Sequence, residues 1–514
     1  MARDQPDLAI APEEPNRRAL ILPGGGMRVA YQAGAVKALY DSGLRFSFAD
    51  GASGGTMNLA ALLSGITPDD LCRRWRGLNP VSFVSPRPLR AYFGFPVIGA
   101  FGDFDGIQHK VFPQLGIEID KVRAARSLRA TFNVCDFGDK IVVPVPHGEL
   151  SLDLLLAGIS LPLVTPAVRY KGRTYTDAVW IRDSNLIAAV HAGANELWVI
   201  WCIGNTPEYK DGLLEQYVHM IEMSALGALH AELAEIAAIN ARIARGERPH
   251  GHDQPIVVHI IKPTYPIPLD TDFLAGRIDA STLVASGHRD ASEYLAAKAP
   301  GGVPLTPLST KMRAPGRGIA FRETMTGRVA FGETDPRAGY DNPAAVPFTL
   351  KAAIDIRDID RFVADPSHTG ELTGHVYAPR IGFELLSTGG VFRLFSPSPD
   401  AKAGVTEMVY ETGYRRDGKL YYVRGRKYVR VGWPWRAWRE TTTLHVTLHQ
   451  DGASGPIIAA GILRLNIFDL FALLGTLHAT GCERRTQRWR AVWHFARFFA
   501  RELWRTYVMR RPRP

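Results

Sequence analysis

Cysteine is scarce in this sequence, with four residues among 514, and no two of them stand close together. The four are Cys72, Cys135, Cys202 and Cys482. Such wide spacing lacks the pairs typical of a disulfide framework or a cysteine-based metal site. We therefore expect isolated thiols in a reducing, cytoplasmic compartment, and neither a metal nor a cofactor.

We expect neither a secretory signal nor a membrane-spanning helix from the sequence. Residues 1–17 contain acids and prolines where a secretory leader has a basic start and an apolar core, so we predict a flexible lead-in there. The apolar stretch Ile457–Ala479 is interrupted by Arg464, Asn466, Asp469 and His478. Because a charge at the bilayer centre costs about 2.5–3.5 kcal/mol, we predict that residues 455–481 form an apolar segment that packs on the protein.

A serine between glycines organises the first part of the chain. Gly51-Ala52-Ser53-Gly54-Gly55 lies between a short strand-like segment, residues 46–48, and a helix-like segment, residues 57–63. A serine at such a strand-to-helix turn fits the nucleophile-elbow pattern, in which Gly51 and Gly55 relieve crowding. The turn places the serine oxygen near the start of a helix, which favours developing negative charge.

A second glycine run, Gly24-Gly25-Gly26-Met27-Arg28, follows the apolar residues 19–22 and precedes a predicted helix. Strand, glycine loop and helix together surround an anion with backbone N–H groups. A dinucleotide loop would need a glycine where Val29 stands, and a phosphate loop would need a following Gly-Lys-Ser/Thr. An oxyanion hole fits better, because a nucleophile elbow requires one.

These two glycine runs resemble those of the patatin-like phospholipase family, whose members are serine acyl hydrolases with a Ser–Asp dyad. The resemblance implies Ser53 as the nucleophile and Asp177, which follows a predicted hairpin, as the base. It also implies an oxyanion hole formed by Gly24, Gly25, Gly26, Met27 and Arg28. The sequence departs from the family pattern at Val29, Ala178 and Val179, where smaller residues are usual.

The implied activity is cleavage of a lipid or other acyl ester, of the phospholipase A type, through an acyl-enzyme. An alternative is a catalytically silent lipid-binding or scaffold protein of the same fold, which Val29 and Ala178 favour. A third hypothesis, an ordinary Ser-His-Asp hydrolase, requires an essential histidine, for which the candidates are His147, His191, His259 and His288.

Alternating strand and helix patterns over residues 18–297 predict an α/β fold, and the resemblance implies a patatin-like three-layer domain with a mostly parallel central sheet. Within it, the Pro- and Phe-rich residues 81–105 fit an apolar lid or an ordered surface loop equally well. A Pro/Gly-rich linker is predicted at 298–320. Strand patterns over 321–454 then predict a β-rich accessory domain, either a barrel or a sandwich.

The last segment, residues 482–514, predicts a basic amphipathic helix. Residues 483–514 contain ten arginines and two glutamates, a net charge of +8 in a chain whose net charge is +10. Arg490, Arg497 and Arg501 share one helical face, and Trp489 and Trp493 lie on the opposite arc. We expect peripheral contact with an anionic membrane through residues 483–510 and no binding to nucleic acid. Docking of this helix on the protein's own core remains an alternative, and the oligomeric state stays open.

Overall fold

The computed structural model describes residues 17–83, 85–87, 93, 99–203, 209, 211–267, 278–314, 316–397, 405–416, 419–482 and 484–509. The predicted lead-in therefore lies outside the described residues, except for Arg17. Contacts divide the chain into two compact units, residues 1–274 with 290–313 and residues 275–289 with 314–514. Each unit is described by itself.

The first unit is built on a mostly parallel sheet, as the sequence predicts. Its strands are β1 (Arg18–Leu22), β2 (Phe48–Gly51), β3 (Arg129–Asp136), β4 (Ile141–Pro146), β5 (Val168–Tyr170), β6 (Arg173–Asp177), β7 (Glu196–Ile200) and β8 (Val257–Ile261). They are ordered β5-β6-β3-β2-β1-β7-β8, with β4 also on β3. The pairs from β3 to β8 are parallel, whereas β4, β5 and β6 pair antiparallel.

Helices surround this sheet: α1 (Ala30–Asp41), α2 (Gly55–Leu63), α3 (Pro68–Arg76), α4 (Phe112–Leu115), α5 (Ile119–Ala124), α6 (Leu152–Ala157), α7 (Leu186–His191) and α8 (Leu213–Ala244). The sequence marks the start of α3 by its cap, since the Thr67 side chain accepts a hydrogen bond from the Asp70 N–H and Pro68 follows. Strands β1 and β7 are almost wholly buried, which explains their continuous apolar sequence.

A further helix, α9 (Ala280–Ala297), is divided between the two units at Arg289. The following residues, predicted as a linker, pack in part on the first unit, where Val303 and Leu305 contact its apolar core. The predicted linker includes a short 3-10 helix, Pro307–Thr310, and its apolar side chains still find buried partners.

The second unit is a closed antiparallel β-barrel of eight strands, which resolves the barrel-or-sandwich alternative. The strands are β9 (Gly318–Phe331), β10 (Val346–Ile356), β11 (Thr369–Ala378), β12 (Phe383–Pro397), β13 (Val405–Arg416), β14 (Lys419–Arg430), β15 (Thr443–Gln450) and β16 (Ile457–Arg464). Each pairs with the next along the chain, and β16 pairs with β9 to close the ring. A short strand, β17 (His478–Thr480), extends β9.

Alternate side chains along the strands point into the barrel and fill its interior. In β9, Phe321, Glu323 and Met325 are buried, and the residues between them are partly exposed. The inward carboxylate of Glu323 is paired with Lys427 from β14, and Tyr410 Oη donates to Glu323 Oε2 at 2.6 Å. The core of the barrel therefore contains a buried polar cluster among its apolar side chains.

The helices of the second unit are α10 (Pro336–Asp341), α11 (Ile359–Ala364), α12 (Ala437–Thr442), α13 (Ile467–Thr476) and α14 (Arg485–Trp504). Residues 455–481, predicted as an apolar packing segment, supply β16, α13 and β17. Helix α14 is the predicted C-terminal helix, and its Phe495 and Phe498 belong to the core of this unit. Among the residues that the structure describes, none of the helices has the length and apolarity needed to cross a membrane.

Candidate active site

Ser53 occupies a strained turn between β2 and α2. Its φ is +46°, in the left-handed region that side chains other than glycine seldom adopt, at a cost of about 1–3 kcal/mol. The flanking glycines allow this turn because a Cβ at Gly55 would lie 2.0 Å from the Leu22 carbonyl oxygen, and one at Gly54 would lie 2.8 Å from the Gly26 oxygen. The geometry is that of a nucleophile elbow.

The Gly24–Arg28 loop lies directly against this turn. A Cβ at Gly24 would be 2.5 Å from Ser53 Cβ and 2.9 Å from Ser53 Oγ, so no side chain fits there. Gly25 and Gly26 have φ values of +152° and +58°, which favour glycine. The buried Arg28 closes the loop, since its Nε donates to the Gly25 carbonyl oxygen at 3.0 Å.

Asp177 ends β6 and is fully buried. Its Oδ1 accepts a 2.9 Å hydrogen bond from the Val179 N–H, and its Oδ2 has no well-aligned partner among the described residues. Burial raises the pKa of this carboxyl to about 7, while the nearby Ser53 hydroxyl and the Val179 N–H lower it. The fold thus brings together the two predicted dyad residues, which are far apart in sequence.

Asp183 is a site residue that the sequence analysis missed. Its Oδ2 accepts a 2.8 Å hydrogen bond from the Gly24 N–H, and Oδ1 has no hydrogen-bond partner among the described residues. Burial, followed by the negative charge of Asp177, holds its pKa well above the ordinary range, while the Gly24 N–H and Arg28 act in the opposite direction. Because Gly24 is engaged in this way, its N–H is not directed at a substrate oxygen.

Asp50, also missed, supports the elbow from β2. Its carboxylate accepts hydrogen bonds from Thr131 Oγ1 at 2.5 Å and Asn133 Nδ2 at 2.7 Å, which tie β2 to β3. Burial raises its pKa to about 7, and these bonds lower it. A carboxylate inside an otherwise apolar strand, three residues before Ser53, was the available sequence signal.

The departures from the family pattern are accommodated in packed surroundings. Val29 and Ala178 are wholly buried, and Val179 is part of the core of the first unit. Val29 Cγ1 lies 2.9 Å from the position of a Cβ on Gly54, so this side chain fills the space beneath the elbow.

The four candidate histidines make hydrogen bonds or ring contacts with residues other than Ser53 and Asp177. His147 bonds the backbone of Ala130, and His191 packs on the His250 ring. His259 Nδ1 bonds Tyr294 Oη, and His288 Nδ1 lies 3.3 Å from the Ser387 carbonyl oxygen. These contacts lend no support to a Ser-His-Asp arrangement.

The segment 81–105, for which a lid or a surface loop was predicted, lies in part outside the described residues, at 84, 88–92 and 94–98. In the described part, Phe83 stacks on Trp75 with ring centroids 6.1 Å apart. The backbone N–H of Phe101 donates to the Leu163 carbonyl oxygen at 2.8 Å.

Comparison with known proteins bears on the segment that holds this site. Residues 20–190 match the family model described as patatin-like phospholipase, and no curated protein matches the chain. Among solved structures, the chain is similar to VipD from Legionella pneumophila, with 11% identity, a TM-score of 0.29, and coverage of 55% of this chain and 67% of that chain. Similarity at that level carries no argument, whereas the family match supports lipid acyl hydrolase activity in general.

Proposed function

Because residues 20–190 of this chain are a patatin-like phospholipase domain, we propose that the protein is a serine lipid acyl hydrolase of the phospholipase A type, with Ser53 and Asp177 as its dyad. The observation that carries this proposal is the pairing of a serine in a left-handed turn with a buried carboxyl whose pKa responds to the serine hydroxyl. Strain and a raised pKa in one place are typical of a catalytic site.

Catalysis begins when ionised Asp177 accepts the hydroxyl proton of Ser53 and the Ser53 oxygen attacks the ester carbonyl carbon. The tetrahedral intermediate then collapses, the bond to the alcohol oxygen breaks, and Asp177 returns its proton to the leaving alcohol. Water attacks the resulting acyl-enzyme while Asp177 again accepts a proton. The second tetrahedral intermediate then collapses, the bond from the acyl carbon to the Ser53 oxygen breaks, and Asp177 returns its proton to that oxygen, which releases the fatty acid and restores Ser53. A pKa of about 7 leaves Asp177 substantially ionised at neutral pH and still able to take up a proton.

The intermediate's negative oxygen is assigned to backbone N–H groups of Gly25 and Gly26, with Met27 and the positive charge of Arg28 nearby. Gly24, which the sequence analysis also placed in the oxyanion hole, has a different role in this proposal. It packs against Ser53, and its N–H donates a hydrogen bond to Asp183. One lost donor typically raises the barrier by about 2.7–4 kcal/mol.

Apolar side chains near the base support a lipid substrate. Phe101, Leu163 and Val164 are all exposed. The Phe101 N–H donates to the Leu163 carbonyl oxygen, and the N–H of the next residue, Gly102, donates to the Val164 carbonyl oxygen. Tyr217 donates to the carbonyl oxygen of the neighbouring Pro162 at 2.6 Å, and burial, followed by the charge of Asp177, raises the Tyr217 pKa to about 12. An acyl chain would therefore meet apolar surface close to the dyad.

The silent lipid-binding alternative depended on Val29 and Ala178. Both side chains are buried in packed surroundings, which removes their specific support for lost activity. We also retain peripheral contact with an anionic membrane through residues 483–510, of which 484–509 are described, and a cytoplasmic location.

Labelling with a fluorophosphonate serine probe tests the dyad. We expect wild type to be labelled, Ser53→Ala to be unlabelled, and Asp177→Asn to be labelled far more slowly. Ser42→Ala, whose hydroxyl only bonds the Leu39 carbonyl oxygen in the structure, serves as the matched control and should be labelled like wild type. A folded wild type that is not labelled with or without lipid vesicles would favour the silent alternative instead.

A further inference from the structure

Helix α14 has two apolar faces, and only one of them is covered. Phe495 and Phe498 pack in the barrel core, where the Phe495 ring lies 5.9 Å from that of Phe321. On the other side, Trp489 is 75% exposed and Trp493 is 70% exposed, with Ala496, Ala500 and Trp504 continuing the same stripe. The buried phenylalanines explain why the helix docks, and the exposed tryptophans are left without a structural role.

Helix α13 repeats this pattern. Leu470 and Leu473 pack against the barrel core, whereas Phe468 is 80% exposed and Phe471 is 65% exposed on the outer side. A helix that only served to cover the barrel would carry polar residues on its outer face. Contiguous exposed aromatic residues of this size mark an interaction surface more often than an ordinary one.

A third exposed apolar segment follows β14. Trp433, Trp435 and Trp438 are all exposed, and the rings of Trp433 and Trp435 stack with centroids 5.0 Å apart. Together with the tryptophans of α14, they are six of the ten tryptophans in the chain. The sequence analysis gave this segment no role.

These three segments lie at the same end of the barrel. In a barrel of consecutive antiparallel strands, the ends of β14 and β16 and the start of β9 lie on one side. Direct bonds agree, because Tyr507 Oη donates to Glu440 Oε2 at 2.8 Å and the Leu465 N–H donates to the Thr442 carbonyl oxygen at 2.9 Å. We call residues 433–438, 467–474 and 489–504 the tryptophan end.

The three segments of the tryptophan end and the residues that flank them carry a strongly positive charge, although Asp360 from α11 also faces His494 of α14. Residues 430–442, 464–480 and 484–509 contain eleven arginines, no lysine and three acids. Two of the acids are neutralised locally, since Glu440 pairs with Arg436 and Glu502 pairs with Arg505. The third, Asp469, lies in the first turn of α13, where a helix favours negative charge.

We propose that the tryptophan end binds the surface of an anionic lipid membrane, with Trp433, Trp435, Phe468 and Phe471 entering the interface alongside Trp489 and Trp493. Tryptophan suits the boundary between headgroups and acyl chains because its ring is apolar and its N–H is polar. Arginines beside it attract anionic headgroups. This proposal rests on the membrane contact proposed above for residues 483–510, here called the tail. It extends that contact to two segments outside the tail, residues 433–438 and 467–474.

Co-sedimentation with lipid vesicles tests this proposal. The full chain carries Ser53→Ala, so that binding is measured without lipid hydrolysis. The vesicles contain phosphatidylcholine alone or phosphatidylcholine mixed with phosphatidylglycerol, and binding is measured at low and at high salt. Deleting the tail is a poor test, because it would also remove Phe495 and Phe498 from the barrel core. Paired substitutions on the outer surface avoid this problem: Trp433→Ser with Trp435→Ser, Phe468→Ser with Phe471→Ser, and Trp489→Ser with Trp493→Ser.

A matched control lies at the opposite end of the barrel. Ile381 and Leu420 are also exposed apolar residues, and they flank the ends of β11 and β13. We expect each tryptophan-end pair to weaken binding to the mixed vesicles at least about tenfold, because two large side chains no longer leave water. The Ile381→Ser/Leu420→Ser variant should bind the vesicles as tightly as the parent chain, which carries Ser53→Ala alone. High salt should weaken vesicle binding by the parent chain.

The proposal would be overturned if the Trp433/Trp435 and Phe468/Phe471 variants bound the vesicles as tightly as the parent chain, with unchanged melting temperatures. It would also be overturned if the parent chain did not bind vesicles, or bound both kinds of vesicle equally. A protein partner would then be the occupant to seek. Hydrolysis of a short soluble ester by the same surface variants, with Ser53 restored, separates the two ideas. Vesicle binding without ester hydrolysis would leave the membrane surface standing and contradict the proposed enzyme.

Discussion

The Gly24 N–H donates a 2.8 Å hydrogen bond to Asp183 Oδ2, linking the glycine loop beside Ser53 to a carboxyl 159 residues further along the chain. Asp183 is fully buried, and the charge of Asp177 contributes to raising its pKa. The two carboxyls are therefore coupled, because a negative charge on Asp177 opposes ionisation of Asp183. Asp183 accepts a hydrogen bond from the glycine loop, whereas the proposed dyad assigns the catalytic charge to Asp177.

Asp183→Asn and Asp183→Ala should consequently differ. An amide oxygen still accepts the Gly24 hydrogen bond, so Asp183→Asn should retain activity at neutral pH. Asp183→Ala leaves a buried N–H without an acceptor, a cost of about 1–3 kcal/mol, and should lower both stability and kcat. Steady-state hydrolysis of a soluble ester and thermal unfolding measure both effects. Equal behaviour of the two variants would contradict a role for this hydrogen bond.

The pH dependence of kcat/KM should report the ionisation of Asp177. A protonated carboxyl cannot accept the Ser53 proton, so activity should increase with pH up to about 7 and then level off before any alkaline decline, given the raised pKa. Asp177→Asn should be slower by roughly 10²–10⁴-fold at neutral pH and lack this rise. An acidic limb near pH 4 in wild type would show that another group acts as the base.

The same raised pKa values connect stability to pH. Burial raises the pKa of Asp50 and of Asp177 to about 7, so the folded protein retains protons that the unfolded chain releases above its ordinary carboxyl pKa. The free energy of unfolding should therefore fall as pH rises from about 4 to about 7, by up to roughly 4 kcal/mol per group. Asp177→Asn cannot ionise, so it should melt at a higher temperature than wild type near about pH 8 and at a similar temperature near about pH 4. A constant difference between them would contradict this linkage.

Gly24→Ala tests the fit of the glycine loop against Ser53. The added Cβ would lie 2.5 Å from Ser53 Cβ, so either the nucleophile or the loop must move. We expect loss of fluorophosphonate labelling with the overall fold retained by circular dichroism. Gly148→Ala is the matched control, because nothing lies within 4 Å of a Cβ at that position. Normal labelling of Gly24→Ala would show that this close approach does not position Ser53.

The buried Glu323–Lys427 pair should matter to the stability of the second unit. Lys427→Met leaves Glu323 without its cation inside the barrel and should cost about 3–5 kcal/mol, whereas the double variant with Glu323→Gln should cost less than the two single changes together. Asp341→Asn, which removes the exposed pair with Arg337, should change stability by less than about 1 kcal/mol. Urea unfolding compares the two single variants, the double variant and Asp341→Asn. Additive effects at Glu323 and Lys427 would argue against direct coupling.

Local chemistry made the elbow and the glycine loop predictable. A serine can occupy a left-handed turn only when its neighbours make room, so Gly54, Gly55 and the Gly24–Gly26 run carry the signal in the sequence itself. Asp177 required the family resemblance in addition, because an aspartate after a hairpin is common. Asp50 and Asp183 gave too little pattern to be selected, since their importance depends on which distant backbone groups they reach.

The sequence by itself determined the elements: a mostly parallel α/β sheet, a strand-rich second part, and a helix with arginines on one side and aromatic residues on the other. Tertiary structure alone decided that β16 closes on β9 and that Glu323 meets Lys427 104 residues later. It also decided which aromatics of α14 are buried: Phe495 enters the barrel and Trp489 faces outward. Periodicity records only that a face is apolar, whereas burial depends on whether another element comes to cover it.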